Sequence, residues 1–382
     1  MRFVFTCGGT GGHIYPAVAA AQRIRELMPD AAILFLGAAG NMELELVPRE
    51  GFDIRPLRVG SLHRSLQPAE ILHNLRSAAY LAGSLSAARR ILRDFRPDAV
   101  LGTGGYVCYP VIRAAHSLGI PTLLHEANAL PGLTTRMLEK FTDQMMVAFE
   151  ESRAHYRDPD RVLFVGMPVR AVFRRADRAA ARRELTPDGL PLVLSFGGSL
   201  GAQRLNEAMA GVIARNEAEG RFRLLHATGG GEEGLRAMSA GLAALGVTAP
   251  RLASLRPYLY DMPKAMAAAD LIVCRAGAST LGELAAVGRP AVLVPFPHAT
   301  ADHQTKNARI PAAHGAAELL PDGDCSPERL YDLLSPLCAS PDRLTAMGKA
   351  MSTLDRPDAL DRIVAETLRL AERQAERQAE RR

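Results

Sequence analysis

The chain has 382 residues, 48% of them hydrophobic and 23% charged, a balance that excludes a disordered chain and provides for two domains of ordinary size. Its formal charge of +5 suits an anionic partner, but no nucleic-acid-binding signature accompanies it, so no nucleic acid is expected as a partner. No apolar run approaches the roughly 18 residues of a membrane span, the opening MRFVFTCGG is no secretory signal, and the five cysteines form no C-x-x-C pair, so the reading is a cytoplasmic protein without disulfide framework or zinc site.

In chain order, β-branched or apolar runs predict strands at 3–6, 33–36, 99–101, 122–124, 192–196, 271–274 and 291–294, with a further strand ending at Val165. Amphipathic stretches predict helices at 16–28, 68–95, 202–215 and 280–287 between them. Strands that read apolar throughout, alternating with helices, mean an α/β fold with parallel sheets covered on both faces. The arrangement occurs twice: strand, glycine-rich turn and helix start at Phe5–Gly12 recur at Ser195–Gly201. Two Rossmann-like domains facing a central cleft are expected, spanning 1–166 and 167–355. Residues 356–382 read as a helix packing back on the first domain, with a frayed Ala-Glu-Arg-Gln tail.

Four glycine-rich turns carry the chemistry. Gly8 to His13 follows the first strand, where backbone N–H groups and a helix N-terminus accept phosphate. Ile14 breaks the G-x-G-x-x-G spacing and no acidic residue follows Leu36, which opposes a nicotinamide-dependent oxidoreductase. Gly102 to Tyr106 is a second anion-accepting turn in the same half, and Gly197 to Gln203 opens the other half. Arg275 to Glu283 is the fourth: Glu283 either complements a helix dipole or accepts the two hydroxyls of a ribose. In the segment 295–307, Gln304 and Asn307 have amides suited to sugar hydroxyls, whereas His298, Asp302 and His303 fit no common metal spacing. Asp158 and Asp160 read as a turn rather than a metal-binding pair.

GGTGGHIYPA, GTGGYVCYP, HEANALPGLTTR, GMPVR, SFGGSLGAQRLN, CRAGASTLGE and PFPHATADHQTKNA, taken in order along nearly the whole chain, resemble the motifs of the MurG family of N-acetylglucosaminyltransferases. The resemblance implies a two-domain glycosyltransferase fold of the B type. It also implies inverting, metal-independent transfer from UDP-N-acetylglucosamine to an undecaprenyl-pyrophosphoryl muramyl-pentapeptide, with no cofactor. On that resemblance Thr10, Gly11, Gly12 and Asn128 border the donor sugar, and Arg170 and Ser199 meet the diphosphate. Leu259 lines the uracil pocket, and Ala278, Ser279, Thr280, Leu281, Gly282 and Glu283 wrap diphosphate and ribose, while Gln304 binds sugar hydroxyls. Gly104, Gly105 and Tyr106 are expected at the acceptor pyrophosphate. Ala127, Met167 and Leu200 stand where the family generally has Gln, Asn and Gln, removing polar side chains near the expected cleft.

His13 is the candidate base, because histidine titrates near neutrality; a phosphate contact or helix cap is its alternative role, and Glu126 is the alternative base. Arg170 and the helix start near Ala278 are placed to stabilise departing UDP. The resemblance also implies a peripheral protein on the cytoplasmic face of the inner membrane. The stripe Leu75, Ala79, Ala82 and Leu85, flanked by Arg76 and Arg89, is the candidate face for an anionic membrane surface, with packing on the sheet as its alternative. A UDP-N-acetylglucosamine epimerase of the same fold, needing no lipid acceptor, is the rival enzyme, and a non-catalytic membrane-surface scaffold the rival from another class.

Overall fold

Phe3 and Phe5 point to one side of their strand and Val4 to the other, and all three are fully buried, so this strand is covered on both faces. That pattern organises the computed structural model, which describes residues 1–59, 68–198 and 200–380; the side chains of 68–79, 81, 300 and 378 fall outside the description. The chain divides into two units, Met1–Pro168 with Arg356–Arg382, and Val169–Asp355.

The N-terminal unit holds β1 (Arg2–Thr6), β2 (Ala32–Ala38), β3 (Asp53–Leu57), β4 (Ala99–Gly102), β5 (Thr122–Glu126), β6 (Gln144–Val147) and β7 (Val162–Phe164). They form one parallel sheet in the order β3-β2-β1-β4-β5-β6-β7. Phe5 stacks on Phe35 at 5.1 Å, and that face is closed by Ile14, Val18 and Ile24 of the helix Gly11–Leu27. Ile363, Val364 and Ala371 of the helix Ala359–Glu380 complete it. The opposite face, with Val4, Leu34 and Leu36, packs against Ala88 and Leu92 of the helix Pro68–Phe95 and Val111 and Ile112 of the helix Cys108–Ser117. Each large apolar side chain buried this way contributes about 1.5–3 kcal/mol.

The C-terminal unit repeats the design with β8 (Leu192–Phe196), β9 (Arg223–Ala227), β10 (Ala253–Arg256), β11 (Leu271–Cys274), β12 (Ala291–Leu293) and β13 (Ala317–Leu319). They form a second all-parallel sheet in the order β10-β9-β8-β11-β12-β13. Both units are therefore doubly wound, the α/β class expected.

Five strands go beyond the expected runs: β3, β6, β9, β10 and β13. Three of them are sheet edges and the other two lie next to an edge. An edge strand buries less of itself, so β3 (DIRPL) and β10 (ASLR) carry polar residues that break the apolar signal. The first helix also starts at Gly11 rather than Pro16. Proline favours the first helical position, but here the glycines ahead of it take helical angles and Pro16 sits buried one turn in.

Candidate active site

Ligands of a doubly wound sheet bind beyond the carboxyl ends of its strands, where the strand order reverses. That point lies between β1 and β4 in the N-terminal sheet and between β8 and β11 in the C-terminal sheet. The four glycine-rich turns singled out in the sequence leave these four strands.

At the β1/β4 point the two turns interlock. Gly8 N–H donates to Gly104 O at 3.2 Å, and a Cβ on Gly105 would fall 2.4 Å from Gly8 O. Gly104 and Gly105 hold φ of +118° and +90°, a region open to glycine alone. His13, third residue of the helix Gly11–Leu27, lies against Gly104: a Cβ there would sit 2.6 Å from its Cδ2 and 2.9 Å from its Nε2. His13 Nδ1 is 3.0 Å from Gly8 O. A carbonyl only accepts, so Nδ1 carries a proton, and in the neutral imidazole the lone pair falls on Nε2. Thr103 Oγ1 donates to His13 O at 2.6 Å, fixing the backbone beneath the ring. Thr10 is the N-cap without a side-chain cap, and Gly11 and Gly12 follow it with N–H groups that have no partner inside the helix.

Two residues the sequence reading missed brace this turn. Glu43 is fully buried and accepts from Ala38 N–H at 2.9 Å and Gly9 N–H at 3.2 Å. Asn41 Nδ2 donates to Tyr106 Oη at 2.8 Å. The sole trace in the sequence is the small residues around them: a Cβ on Gly8 or Gly37 would fall 2.6 Å from Glu43.

Glu126 takes a different part from the one expected. Its Oε1 accepts from Asn128 N and Nδ2 at 2.9 and 3.0 Å, and its Oε2 from Gly132 N and Thr135 Oγ1 at 3.1 and 2.6 Å. A buried carboxylate that accepts from four donors organises the loop 126–135 around it. Neighbouring His125 is buried with Nε2 3.0 Å from Gly166 O, and burial pushes its pKa down. Ala127 and Met167 are buried as well, so the lost Gln and Asn leave these positions facing the interior.

The β8/β11 point is built otherwise. The turn after β8 leans away from β11 and interlocks with the exit of β9: a Cβ on Gly201 would meet Thr228 O at 2.6 Å, and one on Gly229 would meet Gly201 N at 2.2 Å. Asn206 Nδ2 donates to Thr228 O at 2.9 Å to hold it. A Cβ on Gly198 would meet nothing within 4 Å, and one on Gly277 only Thr280 Oγ1 at 3.7 Å. Leu200 is 92% exposed at this rim, and Ser199 lies outside the described residues.

After β11, Gly277 caps the helix Ala278–Val287 with no side-chain hydrogen bond, so the N–H groups of Ala278, Ser279 and Thr280 have no side chain over them. Leu281 is buried beneath, and Gly282 keeps the next turn slim. Glu283 is the sixth residue of this helix, past the first turn where a carboxylate complements the dipole. It has no hydrogen bond or ion pair among the described residues. Burial pushes its pKa up to about 7, opposed by the Arg170 guanidinium. Arg170 caps the short helix Ala171–Arg175 and lies 5.3 Å over the Phe173 ring.

Gln304 Oε1 accepts from Phe296 N–H at 2.9 Å, which turns its amide nitrogen into the free end. Asn307 is not a surface amide: it is fully buried and its Nδ2 donates to Ala276 O at 3.3 Å, supporting the β11 turn from below. Arg275, given no role from sequence, donates to Val294 O at 3.0 Å and Pro295 O at 3.1 Å and pairs with Asp322, pinning the β11 and β12 exits together. Leu259 is half-buried between exposed Tyr258 and Tyr260, whose rings meet edge to face at 5.0 Å. Asp158 and Asp160 each face an arginine, Arg161 at 4.0 Å and Arg153 at 3.8 Å.

The candidate membrane stripe does not hold as a unit. Leu85 is half-buried against the N-terminal core, since that side of its helix faces the sheet; Ala82 and Tyr80 are exposed. The side chains of Leu75 and Ala79 lie outside the described residues. Among the described residues no helix is long and apolar enough to cross a membrane.

The glycosyltransferase family 28 N-terminal domain profile matches residues 3–147 and the family's C-terminal domain profile matches 192–363. A relative from Acetivibrio thermocellus, a UDP-N-acetylglucosamine–N-acetylmuramyl-(pentapeptide) pyrophosphoryl-undecaprenol N-acetylglucosamine transferase, is 39% identical over 95% of this chain and 96% of its own. The crystal structure of Acinetobacter baumannii MurG superposes with a TM-score of 0.77 at 30% identity, covering 96% of this chain and 99% of that one. UDP-GlcNAc 2-epimerase from Neisseria meningitidis, solved with UDP-GlcNAc, reaches 0.63 at 15% identity over 97% of this chain and 100% of that one, a likeness of fold alone.

Proposed function

The chain belongs to glycosyltransferase family 28, and on that footing we propose that it transfers N-acetylglucosamine from UDP to the muramyl sugar of undecaprenyl-pyrophosphoryl-MurNAc-pentapeptide. The reaction is an N-acetylglucosaminyl transfer. The observation that carries the donor half is Glu283, a carboxylate near a helix start with no protein partner among the described residues. A ribose presents two adjacent hydroxyls, the donors such a carboxylate lacks. The capless N–H groups at Ala278–Thr280 and the Arg170 guanidinium take the diphosphate, whose charge grows as the anomeric bond breaks. Gln304 donates to a sugar hydroxyl, and Leu259 lines the base pocket.

The N-terminal unit supplies acceptor chemistry. With Nδ1–H committed to Gly8 O, His13 Nε2 takes the proton from the acceptor hydroxyl as its oxygen bonds to the anomeric carbon. The bond from that carbon to the diphosphate breaks on the opposite face, so configuration inverts and UDP departs. Gly104, Gly105 and Tyr106 form the neighbouring turn for the acceptor pyrophosphate, while Thr10, Gly11, Gly12 and Asn128 border the donor sugar. The acceptor's polyprenyl tail calls for a membrane-surface protein, and the formal charge of +5 suits an anionic leaflet at the inner membrane's cytoplasmic face.

Transfer of radiolabelled sugar from UDP-N-acetylglucosamine to a short-chain acceptor analogue tests the reading, with EDTA-treated protein expected to stay active. Turnover of the UDP-sugar to its epimer without any acceptor would favour the epimerase and overturn it.

A further inference from the structure

At the opposite edge of the C-terminal sheet from Glu283, three arginines gather around one carboxylate. Asp270 opens β11, accepts from Leu192 N–H at 2.8 Å, and pairs with both Arg178 and Arg182. Those two arginines are also committed to backbone: Arg178 to Ala267 O and Ala269 O at 2.9 and 2.8 Å, Arg182 to Ala268 O and Leu190 O at 3.3 Å. Arg289, in the turn before β12, is different. Its Nε is buried without a hydrogen-bond partner, and its guanidinium has no ion pair among the described residues. Three cations against one anion leave a net charge of +2 around a cavity of about 260 Å³ lined by all four side chains. Pro341, Leu344 and Thr345, from the start of the helix Pro341–Ser352, form its other wall; Asp342, in the first turn of that helix, is not among the lining residues.

We propose that this cavity is a second anion site, distinct from the donor site, that takes a phosphate-type oxyanion on Arg289. Arg178 and Arg182 each commit three of five guanidinium N–H donors to Asp270 and the backbone, so they supply chiefly field, and Arg289 supplies the principal hydrogen bonds. A partly buried guanidinium without an ion pair is costly: burial, then the charges of Arg178 and Arg182 against that of Asp270, push its pKa down to about 10, which still leaves it charged at neutrality. An oxyanion relieves both the repulsion and the missing hydrogen bonds. Apolar walls and the modest volume favour a small ion over a nucleotide.

Thermal unfolding and calorimetric titration with inorganic phosphate and pyrophosphate test this, on wild type, Arg289→Met, Arg289→Lys and Arg170→Met, each with sodium chloride at matched ionic strength. Arg289→Met removes the cation but keeps the packing. It should fold as well as wild type in chloride and bind oxyanion roughly tenfold to hundredfold more weakly, with Arg289→Lys between the two. Arg170→Met should keep this site, which separates it from anything bound beside Glu283. Wild type and Arg289→Met are also sedimented with phosphatidylcholine vesicles with and without phosphatidylglycerol. Arg289-dependent binding of free phosphate assigns a diffusible oxyanion; Arg289-dependent binding of the anionic vesicles alone assigns a lipid headgroup. If chloride stabilises equally, or Arg289→Met leaves both responses unchanged, the site does not exist.

Discussion

The two switch points of this molecule start from the same sequence device, a glycine-rich turn after the first strand of each half, and end in opposite states. In the N-terminal unit the turn leans across the switch point onto Gly104 and Gly105, so the two turns fill the space between them and His13 packs against Gly104. In the C-terminal unit the turn leans the other way, onto Thr228 and Gly229, and the β8/β11 side keeps room over Gly198 and Gly277. At the first point the acid and amide beside the turn are held by protein, Glu43 on two amides and Asn41 on Tyr106, as is Glu126 at the neighbouring β5 exit on four donors. At the open point Glu283 has none among the described residues. A satisfied network holds one group in one orientation, as a base requires, whereas an unsatisfied pocket gains its partners from a ligand.

The sharpest way to break this contrast is His13→Ala. If the filled point exists to orient a base, kcat should fall by about 10²–10⁴ with donor affinity nearly unchanged. Collapse of donor binding instead would make His13 a phosphate ligand rather than an oriented base. Gly104→Ala asks the same question without touching the imidazole. Its Cβ would press on Nε2, and φ of +118° strains any side chain, so a displaced ring should cost roughly 10² in kcat. A normal rate in a folded variant would show that the ring's seat does not matter.

On the open side, Glu283→Ala should remove charge-assisted hydrogen bonding worth about 1.5–3 kcal/mol in all, weakening UDP-N-acetylglucosamine roughly tenfold to hundredfold while the acceptor KM holds. Equal loss for both substrates would mean the residue supports the unit's structure rather than the donor.

Where the chain was legible, local chemistry and tertiary role agreed. The central strands β1, β4, β8 and β11 are mostly apolar because both faces are buried, and Gly105, Gly201 and Gly229 sit where backbones meet too closely for a Cβ. Edge strands hid because solvent tolerates Asp53, Arg55 and Arg256 in them. Glu43 reaches Gly9 across 34 positions of sequence, so no local pattern marks it as part of the first turn. Residue type alone suggested Glu126 as a base and Asn307 as a sugar ligand, and in both cases partners fixed by the fold take up the side chain. His13 was readable as a histidine beside a phosphate turn; its tautomer needed the Gly8 carbonyl.

The smallest expected effect is also the one that separates the two states most directly, because it titrates a single group on the open side. Burial holds Glu283 near pKa 7, above the ordinary 4.5, with Arg170 the charge opposing the shift. In the free protein this favours the protonated acid: the associated stability is fully present below the unfolded value near 4.5 and is lost as pH rises through about 7. Ribose hydroxyls donate best to the carboxylate, so donor binding selects the ionised form and lowers its pKa. Affinity for UDP-N-acetylglucosamine should then weaken about tenfold from pH 8 to pH 6. Binding near pH 6.5 should release part of a proton, visible as a buffer-dependent heat in calorimetry. The sugar nucleotide is the right probe, because the terminal phosphate of UDP itself titrates at about 6. Glu283→Gln should flatten the profile, whereas His13→Ala should leave it in place. A pH-independent affinity, or one flattened by His13→Ala instead, would mean the open side already holds an ionised carboxylate and the two switch points do not differ in the way their geometry implies.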